Sequence, residues 1–147
     1  MFISFRKKNN LYAISAKDLC KDENLILLDE VSNRIKEAYA KELPSKECVV
    51  NNATETLITK ILLGTLGCVP AYDRYYVEAV KKYNVSSGQY NSASVRNVAQ
   101  YYLNNEKKLE KLRNEISKNG TEYPPMKLMD MCFWQSSYIE EITNKKD

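Results

Sequence analysis

Apolar residues recur three and four positions apart along most of this chain, the period of an amphipathic helix, and no segment keeps the alternation of a half-buried strand. Leu11, Ile14 and Leu19 predict a short helix over residues 11–20. Asp22 then caps a longer one whose inner face carries Leu25, Leu28, Val31, Ile35, Ala38 and Tyr39, and Pro44 ends it. Asn52-Ala-Thr-Glu55 has the form of a capping box, in which the amide oxygen and Glu55 each answer an N–H left free by the first turn. The helix it opens carries Leu57, Ile58, Ile61, Leu62 and Leu66 on more than one face, so a central position is expected.

Gly64 and Gly67 close that helix, and Pro70 suits the first position of the next, which turns Tyr72, Tyr75 or Tyr76, Ala79, Val80 and Tyr83 inward. Residues 85–91 form a loop. Ser92 or Ser94 caps a long polar helix through Val95, Val98, Tyr102, Leu109, Leu112 and Ile116, with a break at Asn104-Asn105 and a stop at Gly120. Tyr123-Pro124-Pro125 is a stiff hinge into a last helix over residues 126–142. Its Met126, Met129, Cys132, Phe133, Trp134 and Tyr138 cover much of the circumference and imply deep docking. The expected fold is all-α, a compact single-domain bundle of five to seven helices spanning residues 1–147. Helices 53–66, 70–83 and 125–142 form its centre, a glycine/proline αα-corner lies at 64–70, and residues 1–9 make an extended arm.

A chain of 147 residues can bury enough surface to fold without a disulfide or metal. Eleven tyrosines and no histidine change the picture more than the bulk composition does. Without imidazole, Ser-His and Cys-His nucleophile pairs and His-containing zinc sites are excluded, while carboxylate, Lys, Tyr and Cys chemistry stays open. Cys20, Cys48, Cys68 and Cys132 form no C-x-x-C pair, which argues against an all-cysteine zinc site and fits reduced thiols in a cytoplasmic protein. No apolar run approaches the roughly 20 residues that cross a bilayer, and Met1 to Phe5 is too short for a signal sequence. The net charge of +3 is only a faint pull toward polyanions. No cofactor, metal or membrane partner is expected.

The chemistry-bearing candidates cluster around the glycine/proline bend. Backbone N–H groups from Gly67 onward could hold a phosphate at the start of the following helix. Asp73 offers a general base and Arg74 a phosphate clamp, although an acid in a first helical turn is also explained by the helix dipole. Asp130 with Glu55 or Asp73 would make a carboxylate pair if their helices converge. Cys68 stands just before a helix start, where a thiol is activated, against the buried structural role usual for cysteine. Lys107, Lys108, Lys111, Arg113 and Lys118 alternate with Glu106, Glu110 and Glu115, the pattern of a solvated face. Arg6, Lys7 and Lys8, beside Phe2, Phe5 and Tyr12, form the better basic and aromatic patch. Trp134 and its methionines read as core packing or as an exposed adhesive patch.

Residues 54–80 resemble the helix-hairpin-helix element of DNA-repair glycosylases, whose glycine-rich hairpin touches the nucleic-acid backbone and whose downstream Asp does chemistry. Gly64 and Gly67 are three apart where that element usually has glycines two apart, and no lysine occupies its catalytic place. Tyr72-Asp-Arg-Tyr-Tyr76, taken with Tyr123 through Gln135, resembles an uncharacterised family of bacterial and mobile-element proteins. That resemblance implies no activity, only that the two blocks face one another.

The leading expectation is a non-catalytic binding module of bacterial or phage type that occupies a surface on a macromolecular partner, for instance by blocking a nucleic-acid site on a defence or nucleic-acid-processing protein. The second is direct DNA or RNA binding through Gly67, Tyr72, Asp73 and Arg74 together with Arg6, Lys7 and Lys8. The third is a small nucleic-acid enzyme relying on Asp73 or Asp130.

Overall fold

The structure, a computed structural model, describes residues 10–42, 53–117 and 120–145. Among these are seven α-helices and no strand: α1 (Ala16–Leu19), α2 (Asp22–Glu42), α3 (Glu55–Thr65), α4 (Arg74–Lys82), α5 (Ser92–Asn104), α6 (Glu106–Ile116) and α7 (Pro125–Asn144). The all-α compact bundle expected from periodicity is the observed architecture. One hydrophobic cluster runs from Leu11 to Phe133. It takes in Leu25 and Leu28 of α2, Ile58 and Leu62 of α3, Val95, Val98 and Tyr102 of α5, and Met126, Met129 and Phe133 of α7. The arm at residues 1–9 lies outside the described residues, as do Asn52 and Pro44.

Several boundaries differ from expectation for local reasons. Thr54 caps α3, its hydroxyl accepting the Leu57 N–H at 3.2 Å. Asn105 separates α5 from α6 as its pattern predicted, and Ser117, not Gly120, caps the end of α6. Gly64 lies within α3, with open space where a side chain would be. The stop is made by Gly67, whose φ of +65° places it in the left-handed region and whose N–H reaches back to the Leu62 and Leu63 carbonyls at 3.0 and 3.1 Å.

The largest departure follows that stop. Pro70 does not begin a helix; residues 68–73 stay irregular, and α4 starts at Arg74 with Asp73 as its N-cap, accepting the Tyr76 N–H at 3.1 Å. Cys68, Val69, Pro70, Ala71 and Tyr72 are all buried. Buried backbone without helical partners must find others, and three side chains supply them. Asp130 Oδ1 accepts the Ala71 N–H at 2.9 Å, Thr59 Oγ1 accepts the Tyr72 N–H at 2.9 Å, and Thr56 Oγ1 donates to the Tyr72 carbonyl at 2.9 Å. A buried strap held by α3 and α7 thus joins α3 to α4.

Candidate functional site

The strap brings the start of α4 against α7, the most extensive helix pair among the described residues. Residues 72–76 and the first half of α7 therefore face one another. Tyr76 packs edge-on against Phe133 at 5.9 Å between ring centroids, on the buried side. On the outer side Tyr75 meets Trp134 at 5.2 Å and Tyr138 at 5.7 Å, both edge-on, while Trp134 and Tyr138 stack at 4.9 Å. Trp134 and Tyr75 are half-buried and Tyr138 is 40 % exposed. Ile139 and Ile142 of the same helix are also exposed.

Charged side chains border this aromatic ridge. The Arg74 guanidinium lies 4.5 Å above the Tyr75 ring and pairs with Glu141 at 2.6 Å. Lys145 approaches the same carboxylate at 2.5 Å, and Lys82 pairs with Glu140. Hydrogen bonds from Lys145 and Tyr75, with the Arg74 charge behind them, pull the Glu141 carboxyl down to about 2. Tyr83, expected inside, is exposed instead and meets Ser136 Oγ at 2.8 Å.

Beside the ridge, α3, the strap and α7 enclose a cleft of about 400 Å³ lined by Lys60, Leu63, Ala71, Asp73, Lys127, Asp130, Met131 and Trp134. Asp73 and Asp130 thus converge on one cavity, as the paired-carboxylate reading required, while Glu55 is not part of its lining. Both carboxylates already have structural duties. Asp73 caps α4, and Asp130 holds the strap through Oδ1 and Lys127 through Oδ2 at 3.1 Å. Behind them the Tyr76 hydroxyl is buried with no hydrogen-bond partner among the described residues. Burial first, then its neighbours Tyr72 and Asp130, hold that phenol well above its ordinary range.

The residues singled out from sequence fall into three groups. Gly67 is buried against Pro124, and Tyr72 is 4 % exposed with its hydroxyl 3.0 Å from Ser94 Oγ, so neither presents a contact surface. The N–H groups of Gly67, Ala71, Tyr72 and Asp73 are taken internally. Asp73 and Arg74 do reach the cleft and the ridge. Arg6, Lys7 and Lys8 lie outside the described residues. Cys68 is buried, and burial pushes its thiol up to about 12, the opposite of activation. Lys60 and Lys127 were not singled out in the sequence, whereas Met131 was considered only with Trp134 as packing or an adhesive patch. For Asp130 a signal was present, because it follows Met126 by four and precedes Phe133 by three, on the buried stripe of α7.

Among the described residues no group of three or more His, Cys, Asp or Glu side chains could hold a metal ion, and no helix is long and apolar enough to cross a membrane. Comparison of the chain with protein-family models, curated proteins and solved structures finds no match in any of the three.

Proposed function

We propose that this protein is a non-catalytic binding module that acts by occupying a surface on a macromolecular partner, with the α4–α7 ridge as its contact face. The observation that carries this reading is the Tyr75–Trp134–Tyr138 cluster, packed ring against ring yet left half-open. Aromatic rings and arginine supply most of the energy at protein interfaces, because they bury large rigid area for few frozen torsions. Here they stand together with exposed Ile139 and Ile142, inside a border of charged pairs that matches the polar rim of an interface. The charge pattern favours a protein over a nucleic acid. Arg74 and Lys82 are each answered by a glutamate, whereas phosphate binding draws on cations that release counterions. Action would be steric, since the two acids of the cleft are committed to the fold.

The test is affinity capture on the immobilised full chain, repeated with Trp134→Ala and Tyr138→Ala after circular dichroism shows both folded. A bound protein whose affinity drops more than about tenfold in these variants supports the ridge, the scale of an interface hot spot. Undiminished binding by both variants overturns it. Binding of nucleic acid that collapses as salt rises would favour the direct DNA or RNA reading instead.

A further inference from the structure

The cleft beside the ridge holds about 400 Å³, within the roughly 300–1,000 Å³ usual for small-molecule sites. Leu63, Met131 and Trp134 give it an apolar side, and two lysines with two aspartates give it a charged one. One pair of opposite charges is closed within the wall, where Lys127 meets Asp130 Oδ2 at 3.1 Å. The other two line the same cleft without pairing. Lys60 is exposed and Asp73 half-buried, and neither has an ionic partner among the described residues. The Tyr76 N–H that Asp73 accepts caps α4, but an amide carries no full charge to cancel a carboxylate. The cleft therefore offers a newcomer one ammonium and one carboxylate beside an apolar wall.

We propose that this cleft binds a zwitterion with an apolar body, its carboxylate on Lys60, its ammonium on Asp73 and its apolar part along Leu63, Met131 and Trp134. A ligand with a single charge answers one of the two groups and leaves the other without a counterion, whereas a zwitterion answers both. Free apolar amino acids and short apolar peptides share this chemistry. Neither source depends on the ridge having a partner, so this inference and the binding-module reading can fail separately.

The backbone amides of Leu63 and Ala71 line the cleft and take no part in the aromatic ridge, so their NMR shifts report on the cleft. The isotope-labelled full chain is titrated with phenylalanine and with leucyl-leucine. It is also titrated with 3-phenylpropanoate, which lacks the ammonium, and with 2-phenylethylamine, which lacks the carboxylate. Saturable shifts are expected for at least one zwitterion, with each single-charge analogue weaker than phenylalanine by about two- to fivefold, the scale of one partly exposed ion pair. Tighter binding of phenylalanine identifies a free amino acid as the source, and tighter binding of the dipeptide a peptide. Lys60→Gln should weaken phenylalanine and phenylpropanoate but not phenylethylamine. Asp73→Asn keeps a good helix cap while removing the charge, and should weaken phenylalanine and phenylethylamine but not phenylpropanoate. Circular dichroism checks that both variants are folded. No saturable shift with either zwitterion, a single-charge analogue binding as tightly as phenylalanine, or variants that do not separate the two analogues overturns the proposal.

Discussion

Gly67 lies directly under the ring of Pro124, so that a Cβ on the glycine would stand 2.6 Å from the proline Cγ. The end of α3 and the entry to α7 meet at this contact, and it closes one side of the strap that positions Asp73 and Arg74. Gly64, one helical turn earlier, faces open space. Two glycines three positions apart therefore answer opposite demands, one steric and conformational, the other none.

Gly67→Ala should destabilise by about 1–2 kcal/mol for the left-handed backbone and about 1–3 kcal/mol more for the clash. Gly64→Ala should raise stability by up to about 1 kcal/mol, the helix propensity gained. Urea unfolding of the two variants measures both. Adding Pro124→Ala to Gly67→Ala should recover the steric part only, and equal effects at the two glycines would contradict this account.

Tyr72 and Tyr76 pack at 5.1 Å between centroids, but only Tyr72 has a hydroxyl partner. Tyr72→Phe leaves the buried Ser94 hydroxyl unpaired and should cost about 1–3 kcal/mol. Tyr76→Phe removes a hydroxyl that is buried without a partner and should be neutral or stabilising by up to about 2 kcal/mol. Thermal unfolding of the pair decides; a larger loss for Tyr76→Phe would mean that its hydroxyl is bound.

The strap's amides should report their side-chain partners. Asp130→Ala leaves the Ala71 N–H buried and unpaired, at about 1–3 kcal/mol, while Asp130→Asn keeps an acceptor and should lose less. Thr59→Val should expose the same weakness at Tyr72. Hydrogen exchange gives the direct reading, with the Ala71 and Tyr72 amides slow in the native chain and faster in the matching variant alone.

Acid should loosen the ridge. The Glu141 carboxyl is lowered in the folded protein from 4.5 to about 2, by Lys145, Tyr75 and Arg74. A group depressed in this direction stabilises the fold fully above its unfolded value and loses that contribution as pH falls through the interval to about 2. Unfolding followed through this interval should show a steeper decline for the native chain than for Glu141→Gln. Parallel curves would show that the ion cluster does not form in solution.

Much of the fold was legible locally because helical periodicity is a short-range signal. Leu25 and Leu28, Ile58 and Leu62, Val95 and Val98, and Met126, Met129 and Phe133 were all spaced for one buried face, and the Asn104-Asn105 break fell where expected. Tyr83 and Leu112 shared such spacing yet lie exposed, since periodicity names a face without saying whether a neighbour covers it.

By itself, then, the order of apolar and polar residues determined the all-helical class, most of the core and the exclusion of imidazole chemistry. Tertiary structure alone decided the course of residues 68–73. Pro70 permits a helix start, but Thr56, Thr59 and Asp130 pair with this segment from 13 to 59 positions away and make the irregular strap the better-satisfied state. The same long-range packing chose which tyrosines became core and left Trp134 between a cleft and a stacked ridge. Local patterning carries no information about such partners, because the desolvation that selects them exists only once the helices have met.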